Sequence, residues 1–293
     1  MEKGVSPIIL DGKALSKKIK DQISQKVNAY VSEGFRRPCL AVILVGNDPA
    51  SQVYVNNKRK SCQEVGIESL LFHLPENTRT EELLDLIAEL NSRQDVDGIL
   101  VQLPLPKHID QHEIILSISP YKDVDGFHPM NMGKLVARIE DGFVPCTPLG
   151  IDLLLKEYGI DPKGKEVVIV GAGFIVGRPL AMLMLWRDAT VSVCHIHTRD
   201  IKEHTLRADI LISATGVPHL IKAHMVKEGV IVIDVGISKL DGKIVGDVDF
   251  EEVKHKAYAI TPVPGGVGPM TVASLLLNTL KAYEKYGIIK SQS

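Results

Sequence analysis

The stretch Val167–Leu180, VVIVGAGFIVGRPL, decides how this chain is read: a β-branched apolar run empties into glycines at Gly171, Gly173 and Gly177 and continues as an apolar, helix-like segment. A strand that ends in a glycine turn followed by a helix aims free backbone N–H groups and the positive end of a helix dipole at one spot. A pyrophosphate is held at such a spot. The spacing is one residue wider than the G-x-G-x-x-G fingerprint of dinucleotide-binding folds. Gly171 and Gly173 suit the tight turn and the close approach of a ligand, while Gly177 falls one place later than the usual helix-packing glycine. A glycine-rich turn with no ligand has the same appearance, so the turn alone leaves both readings open.

Around this turn, short β-branched runs alternate with amphipathic segments along nearly the whole chain. That alternation predicts an α/β fold with a mostly parallel sheet and helical crossovers. In the first half the expected strands are CLAVILVG (39–46), SLLFHLP (69–75) and DGILVQLPLP (97–106), with helices near 13–33, 49–65 and 80–93. The second half supplies EVVIVGAG, TVSVCHI, DILISAT, GVIVIDVGI and AYAITPVP at shorter intervals. A Pro-, Gly- and Asp-rich passage, SPYKDVDGFHPMNMGKL, separates the halves; after it Thr147 is expected to cap a helix with Pro148 at its first position. The domains expected are 1–145 and a Rossmann-like 146–268, with the final amphipathic helix, 269–293, able to dock back on the first.

A chain of 293 residues is long enough for two domains and a sheltered active site. Its 34 basic and 36 acidic residues leave a formal charge of -2, without the basic excess of nucleic-acid or anionic-membrane binding. A small-molecule partner is the expectation, with no nucleic acid and no membrane. Cys39, Cys62, Cys146 and Cys194 have no C-x-x-C spacing and are read as buried, reduced thiols. With no hydrophobic leader and no apolar run near the roughly 20 residues of a membrane span, a cytoplasmic protein is expected.

The strand end after the glycine turn reads VCHIHTRD, where NAD-selective folds usually carry an acidic residue for the ribose 2′-hydroxyl. His195, His197 and Arg199 precede Asp200 there, so this end tolerates a 2′-phosphate and NADP is favoured. His195 and His197 alternate like a metal pair, but no third ligand is evident and no metal is expected.

In GNDPASQVYVNNKRKSCQEVGI, Asp48-Pro49 is a helix start and Gly66 a stop, which puts Tyr54 and Lys58 at i and i+4 on one face. A tyrosine ring offers a stacking surface, and a partly desolvated lysine exchanges protons near neutrality. The spacing equally describes an ordinary solvent-facing helix. Gln102 ends a buried strand, at the edge where open α/β sheets bind ligands. Asp123 and Asp125 lie in the loop KDVDGFHP, where a carboxylate accepts two N–H bonds from an aminopyrimidine-like ring or simply forms a solvated turn. TPVPGGVGPMT (261–271) offers a rigid, side-chain-poor loop that lets backbone approach a flat ligand.

Taken in order and spacing, YVNNKRK, VQLPLP, KDVDGFHP, PCTPLG, GFIVGRP and TPVPGGVGPMT resemble the bifunctional methylenetetrahydrofolate dehydrogenase/methenyltetrahydrofolate cyclohydrolase family over essentially the whole chain. The resemblance implies two α/β domains flanking a cleft, a homodimer, and a folate substrate with a one-carbon unit between N5 and N10. It implies oxidation of 5,10-methylenetetrahydrofolate by NADP and hydrolysis of the methenyl product to 10-formyltetrahydrofolate. By the same resemblance Lys58 is the main catalytic residue, Tyr54 stacks on the folate, Gln102 positions Lys58, and Asp125 binds the pterin edge. Gly171, Ala172, Gly173, Ile196, Thr215, Gly216 and Ile237 are the implied cofactor-binding positions. The chain departs from the common family form at Gly173, where Ser is usual, and from some members at Ala172 and Ile196. Two 2′-phosphate contacts are therefore missing from the expected set. A dehydrogenase lacking the hydrolytic step and a non-catalytic NADP-binding module are the competing expectations.

Overall fold

The computed structural model describes residues 6–288, which divide into two units. Strands are numbered along the chain: β1 (Ile8–Ile9), β2 (Cys39–Val45), β3 (Glu68–Leu74), β4 (Gly98–Val101), β5 (Glu166–Val170), β6 (Thr190–Cys194), β7 (Ile210–Ser213), β8 (Val230–Asp234), β9 (Ser238–Leu240), β10 (Lys243–Val245) and β11 (Ala257–Ile260).

The three-stranded unit comprises residues 17–134, 141–146 and the described residues 272–288. Its parallel sheet has the order β3-β2-β4, with β2 central and buried at every position. CLAVILV has no polar side chain because helices and neighbouring strands cover both faces of such a strand. The β2 residues Ala41, Ile43 and Val45 share a core with Leu83, Ile87 and Leu90 of the helix Thr80–Ser92. Burying each such Leu or Ile contributes roughly 1.5–3 kcal/mol, so this seam is the main stabiliser of the unit.

An ion pair pins the start of β2. Arg36 donates from both terminal nitrogens to the Asp97 carboxylate at 2.7 Å, and Asp97, whose side chain is 2 % exposed, also accepts the Cys39 N–H at 2.8 Å. Removing one member of a buried pair leaves the other uncompensated. Arg36→Ala is therefore expected to lower stability by about 3–5 kcal/mol, measured by denaturant unfolding. The last helix, Val267–Ala282, continues as a π-turn, Tyr283–Gly287, whose Tyr283 hydroxyl donates to the Arg36 carbonyl at 2.6 Å. Residues 289–293 of the expected 269–293 segment lie outside the described residues, as do residues 1–5 of 1–145.

The six-stranded unit comprises 135–140, 147–271 and the described residues up to Ser16. Its sheet is parallel throughout, ordered β1-β11-β8-β7-β5-β6. Residues 6–16 belong here because β1 pairs with β11 and Leu10 N–H donates to the Ile260 carbonyl at 2.9 Å. Two short strands carry no strong sequence periodicity, yet Asp241-Gly242 marks the β9-β10 hairpin. Both residues have positive φ, 48° and 78°, as a type I′ turn requires. The helix expected from a Thr147 cap starts at Cys146 instead, so Thr147 lies inside it and its hydroxyl bonds Thr271 Oγ1 at 2.9 Å.

The four cysteines are free and buried. Burial pushes the thiols of Cys39 and Cys62 up to about 12, which keeps them protonated and unreactive at neutral pH. Among the described residues no helix is long and apolar enough to cross a membrane, and no group of His, Cys, Asp and Glu is arranged to hold a metal.

Candidate active site

In the three-stranded unit, the helix Pro49–Val65 begins where Asp48 accepts the Ser51 N–H at 2.8 Å. It ends at Gly66, in a left-handed conformation at φ 83°. Those caps fix its phase, and Tyr54 and Lys58 share a face one turn apart. Lys58 Nζ donates to Gln102 Oε1 at 3.0 Å. Gln102 is buried immediately beyond β4; its backbone N–H donates to Ile43 O at 2.9 Å and its side-chain amide to Leu103 O at 2.6 Å. With its amide nitrogen committed, the side chain presents only its oxygen to Lys58. Tyr54 is 45 % exposed, and its hydroxyl has no hydrogen-bond partner among the described residues.

The two loop carboxylates separate into different roles. Asp123 accepts N–H groups from Gly126, Phe127 and His128 and the Asn131 side-chain amide at 2.8–3.2 Å, so it is consumed in shaping its own loop. Asp125 has no such partners. Burial pushes its carboxyl above the usual range while the Lys58 charge pulls it down, which couples the two groups electrostatically. The Cys146 thiol lies 3.4 Å from Val124 O and 3.7 Å from Asp125 Oδ1. Asn278, on the last helix, donates to Val124 O and Val144 O at 2.8 and 3.0 Å. Cys146 and Asn278 thus hold the backbone that presents Asp125; neither carries a sequence signal that singles it out.

In the six-stranded unit, β5 lies between β6 and β7, so the winding of the sheet reverses direction there. Ligands of open α/β sheets bind beyond the carboxyl ends of strands at this switch point. The glycine turn leaves β5 at that place, and the Ala214–Gly216 turn leaves β7 beside it. Gly171 adopts φ 115°, and a Cβ on it would sit 2.3 Å from the Ala214 carbonyl oxygen. A Cβ on Gly177, the first residue of the helix Gly177–Trp186, would lie 1.8 Å from the Gly171 carbonyl oxygen. The wide spacing therefore keeps the helix-packing function of the third glycine: residues 174–176 add turn before the helix begins. Gly173 is different, with open space where a side chain would project.

The backbone N–H groups of Ala172 and Gly173 have no partner among the described residues, which leaves them for an anion. Arg178 Nε donates to Ala172 O at 3.0 Å and carries its exposed guanidinium to the turn. Beyond β6, Ile196 is 93 % exposed, and His197 N–H donates to His195 Nδ1 at 3.1 Å. Ile237 stands 49 % exposed just before β9. Beneath Thr215 and Gly216 lie two buried aspartates absent from the sequence-based set: Asp247 and Asp234, the latter pushed up to about 6 by burial.

A doubly wound parallel sheet with a ligand-ready glycine turn at its switch point, carried on one chain with a lysine, glutamine and carboxylate grouped at a second sheet's edge, defines the class as a dinucleotide-dependent α/β enzyme. Residues 10–125 match the tetrahydrofolate dehydrogenase/cyclohydrolase catalytic domain, and 145–287 match the NAD(P)-binding domain of the same name. The chain belongs to the tetrahydrofolate dehydrogenase/cyclohydrolase family. It is 74 % identical over 278 residues to the bifunctional protein FolD of Aquifex aeolicus, covering 95 % of this chain and 96 % of that relative. Among solved structures, the bifunctional FolD dehydrogenase/cyclohydrolase of Campylobacter jejuni is 57 % identical with a TM-score of 0.94, covering 95 % of this chain and 99 % of that one. The Trypanosoma brucei dehydrogenase-cyclohydrolase, solved with NADP and an inhibitor, is 39 % identical with a TM-score of 0.91 over 96 % and 98 %.

Proposed function

We propose that this protein oxidises 5,10-methylenetetrahydrofolate to the 5,10-methenyl form with NADP and hydrolyses that product to 10-formyltetrahydrofolate. The observation that carries this reading is the 3.0 Å Lys58–Gln102 hydrogen bond with Asp125 charge-coupled to the same lysine, in a chain of this family.

The three-stranded unit holds the folate. Tyr54 stacks on it, and Asp125 accepts N–H bonds from the pterin edge. In hydrolysis, water adds to the methenyl carbon, the bond from that carbon to N5 breaks, and the formyl group stays on N10 with release of a proton. Lys58 moves the protons of these steps, and Gln102 holds its ammonium in place. In the oxidation the same residues orient the one-carbon bridge, and positioning is the protein's main contribution.

The residues of the six-stranded unit fit a dinucleotide: the unpartnered Ala172 and Gly173 N–H groups suit a pyrophosphate, and Gly171 and Gly177 leave room for its approach. Bound there, NADP supplies the hydride acceptor. Thr215, Gly216 and Ile237 border its nicotinamide half, and Ile196 its adenosine half. Domain roles follow as 1–145 with 269–293 for folate and catalysis and 146–268 for NADP, except that residues 6–16 and 135–140 pack with the NADP-binding unit. The open outer edge of β6, with Val193 38 % exposed, supports a homodimer. The cytoplasm and one-carbon supply to purine biosynthesis are the setting.

Purified protein is expected to reduce NADP in the presence of 5,10-methylenetetrahydrofolate and to hydrolyse the methenyl form. Initial rates at matched NADP and NAD concentrations are expected to favour NADP, because no carboxylate stands at 195–199 to repel a 2′-phosphate. A clear NAD preference counts against that argument.

A further inference from the structure

Asp247 is fully buried, and its Oδ2 atom collects three donors: Ser213 Oγ at 2.9 Å, Thr215 N at 2.6 Å and Thr215 Oγ1 at 2.9 Å. Both hydroxyls and the Thr215 backbone N–H donate to this one oxygen, so the Thr215 hydroxyl hydrogen is committed to Asp247. The same hydroxyl oxygen accepts the Val217 N–H at 3.1 Å. A hydroxyl has one hydrogen and two lone pairs. One lone pair therefore remains on Thr215, which is half-buried beside Gly216 at the switch-point edge.

The carboxylate that sets this arrangement is sterically confined, although its Oδ1 atom is buried with no hydrogen-bond partner among the described residues. Asp247 N–H donates to Asp234 Oδ1 at 3.0 Å; that oxygen also takes Gly236 N–H at 2.9 Å, and Asp234 Oδ2 takes Val248 N–H at 2.9 Å. A Cβ on Gly236 would lie 2.1 Å from Asp247 Oδ1, and one on Gly246 would lie 1.9 Å from Asp234 Oδ2. Backbone is packed against both carboxylates, so Asp247 cannot swing to release the hydroxyl.

We propose that Asp247 is a positioning residue that sets the polarity of Thr215, so that this hydroxyl only accepts a hydrogen bond from the dinucleotide. The inference rests on the reading that Thr215 borders NADP. The chemistry it recognises is a donor group: a nicotinamide-ribose hydroxyl or the carboxamide N–H. Phosphate oxygens are acceptors and find no hydrogen at Thr215, whereas they find two backbone N–H groups at Ala172 and Gly173. The two edges of the switch point thus sort the two ends of the cofactor.

The test is calorimetric titration of full-length Thr215→Val, Thr215→Ser and Asp247→Asn with NADP and with the analogue bearing an acetyl group in place of the carboxamide. Hydrolysis of the methenyl substrate, which consumes no dinucleotide, reports that the three-stranded unit is intact. Thr215→Val and Asp247→Asn are each expected to weaken NADP binding about tenfold, Thr215→Ser to retain it, and the double variant to lose little beyond Thr215→Val. A purely structural Asp247 predicts additive losses instead, which overturns the proposal. If Thr215→Val loses affinity and Asp247→Asn does not, the contact stands and the role of Asp247 falls. If Thr215→Val binds NADP like the parent, the contact itself is wrong. The analogue separates the donors: equal losses for both ligands in Thr215→Val assign the ribose hydroxyl, and a loss for NADP alone assigns the carboxamide. Should Asp247→Asn fail to fold, the Val and Ser variants with the analogue still decide whether this corner accepts a hydrogen bond.

Discussion

Lys58→Met is expected to lower the hydrolysis of 5,10-methenyltetrahydrofolate by about 10²–10⁴-fold, the range a positioned general acid–base contributes. The side chain is half-buried and, among the described residues, gives up a single side-chain hydrogen bond, to Gln102. The fold is therefore expected to survive, with an unfolding midpoint close to that of the parent. Methionine keeps the length and apolar body of the lysine but removes the ammonium, so the loss reports proton transfer and charge rather than packing. Asp125 sharpens the test. Its carboxyl is already pushed up by burial and is drawn down by Lys58. Without the cation it takes up a proton at higher pH, so folate binding in Lys58→Met is expected to weaken as pH falls through that raised value, where the carboxylate that accepts the pterin N–H bonds becomes protonated. Full hydrolytic activity in Lys58→Met would remove lysine from the mechanism.

Gly177→Ala is expected to have the second largest effect, and on the other activity. The new methyl carbon would lie 1.8 Å from the Gly171 carbonyl oxygen, a backbone atom that cannot rotate away. Overpacking of this kind costs roughly 1–3 kcal/mol or more, so NADP affinity is expected to fall by about 10–100-fold as the turn opens. The methenyl hydrolysis rate, which the proposed function assigns to Lys58, Gln102 and Asp125 in the three-stranded unit, is expected to persist. Gly173→Ser provides the contrast, because open space surrounds that position and the turn accepts the side chain without shifting. Calorimetric NADP titration of the two variants beside the hydrolysis assay checks both. Equal NADP affinity in Gly177→Ala and the parent would mean that the turn does not bind the dinucleotide.

The strands β2 to β8 and β11 were legible as short apolar or β-branched runs, because burial in a parallel sheet demands such runs. β2 and β5 are examples that need no tertiary knowledge. The helix Pro49–Val65 was equally legible, since Asp48-Pro49 and Gly66 are chemical start and stop signals that act within a few residues. β1 was not: a two-residue strand has no periodicity, and it exists only because β11 offers it a partner. The start of the helix Cys146–Glu157 was misplaced by two residues because the Thr147 hydroxyl found Thr271, far along the chain, instead of its own helix end.

Residue types and their order along the chain determined the α/β class, the glycine turn, the family and the grouping of Tyr54 with Lys58, because strand burial, capping and turn chemistry operate over a few neighbouring residues. Tertiary structure alone decided what depends on partners distant in sequence. It separated Asp123, spent on its own loop, from Asp125, left within the electrostatic reach of Lys58. It placed Gly177 against Gly171 and so explained the wide spacing. It also buried Asp247 beneath Thr215, where a hydroxyl's hydrogen is claimed by a carboxylate 32 positions away. A hydrogen bond's direction and a carboxylate's burial are properties of what surrounds a group, and the surroundings exist only once the chain has folded.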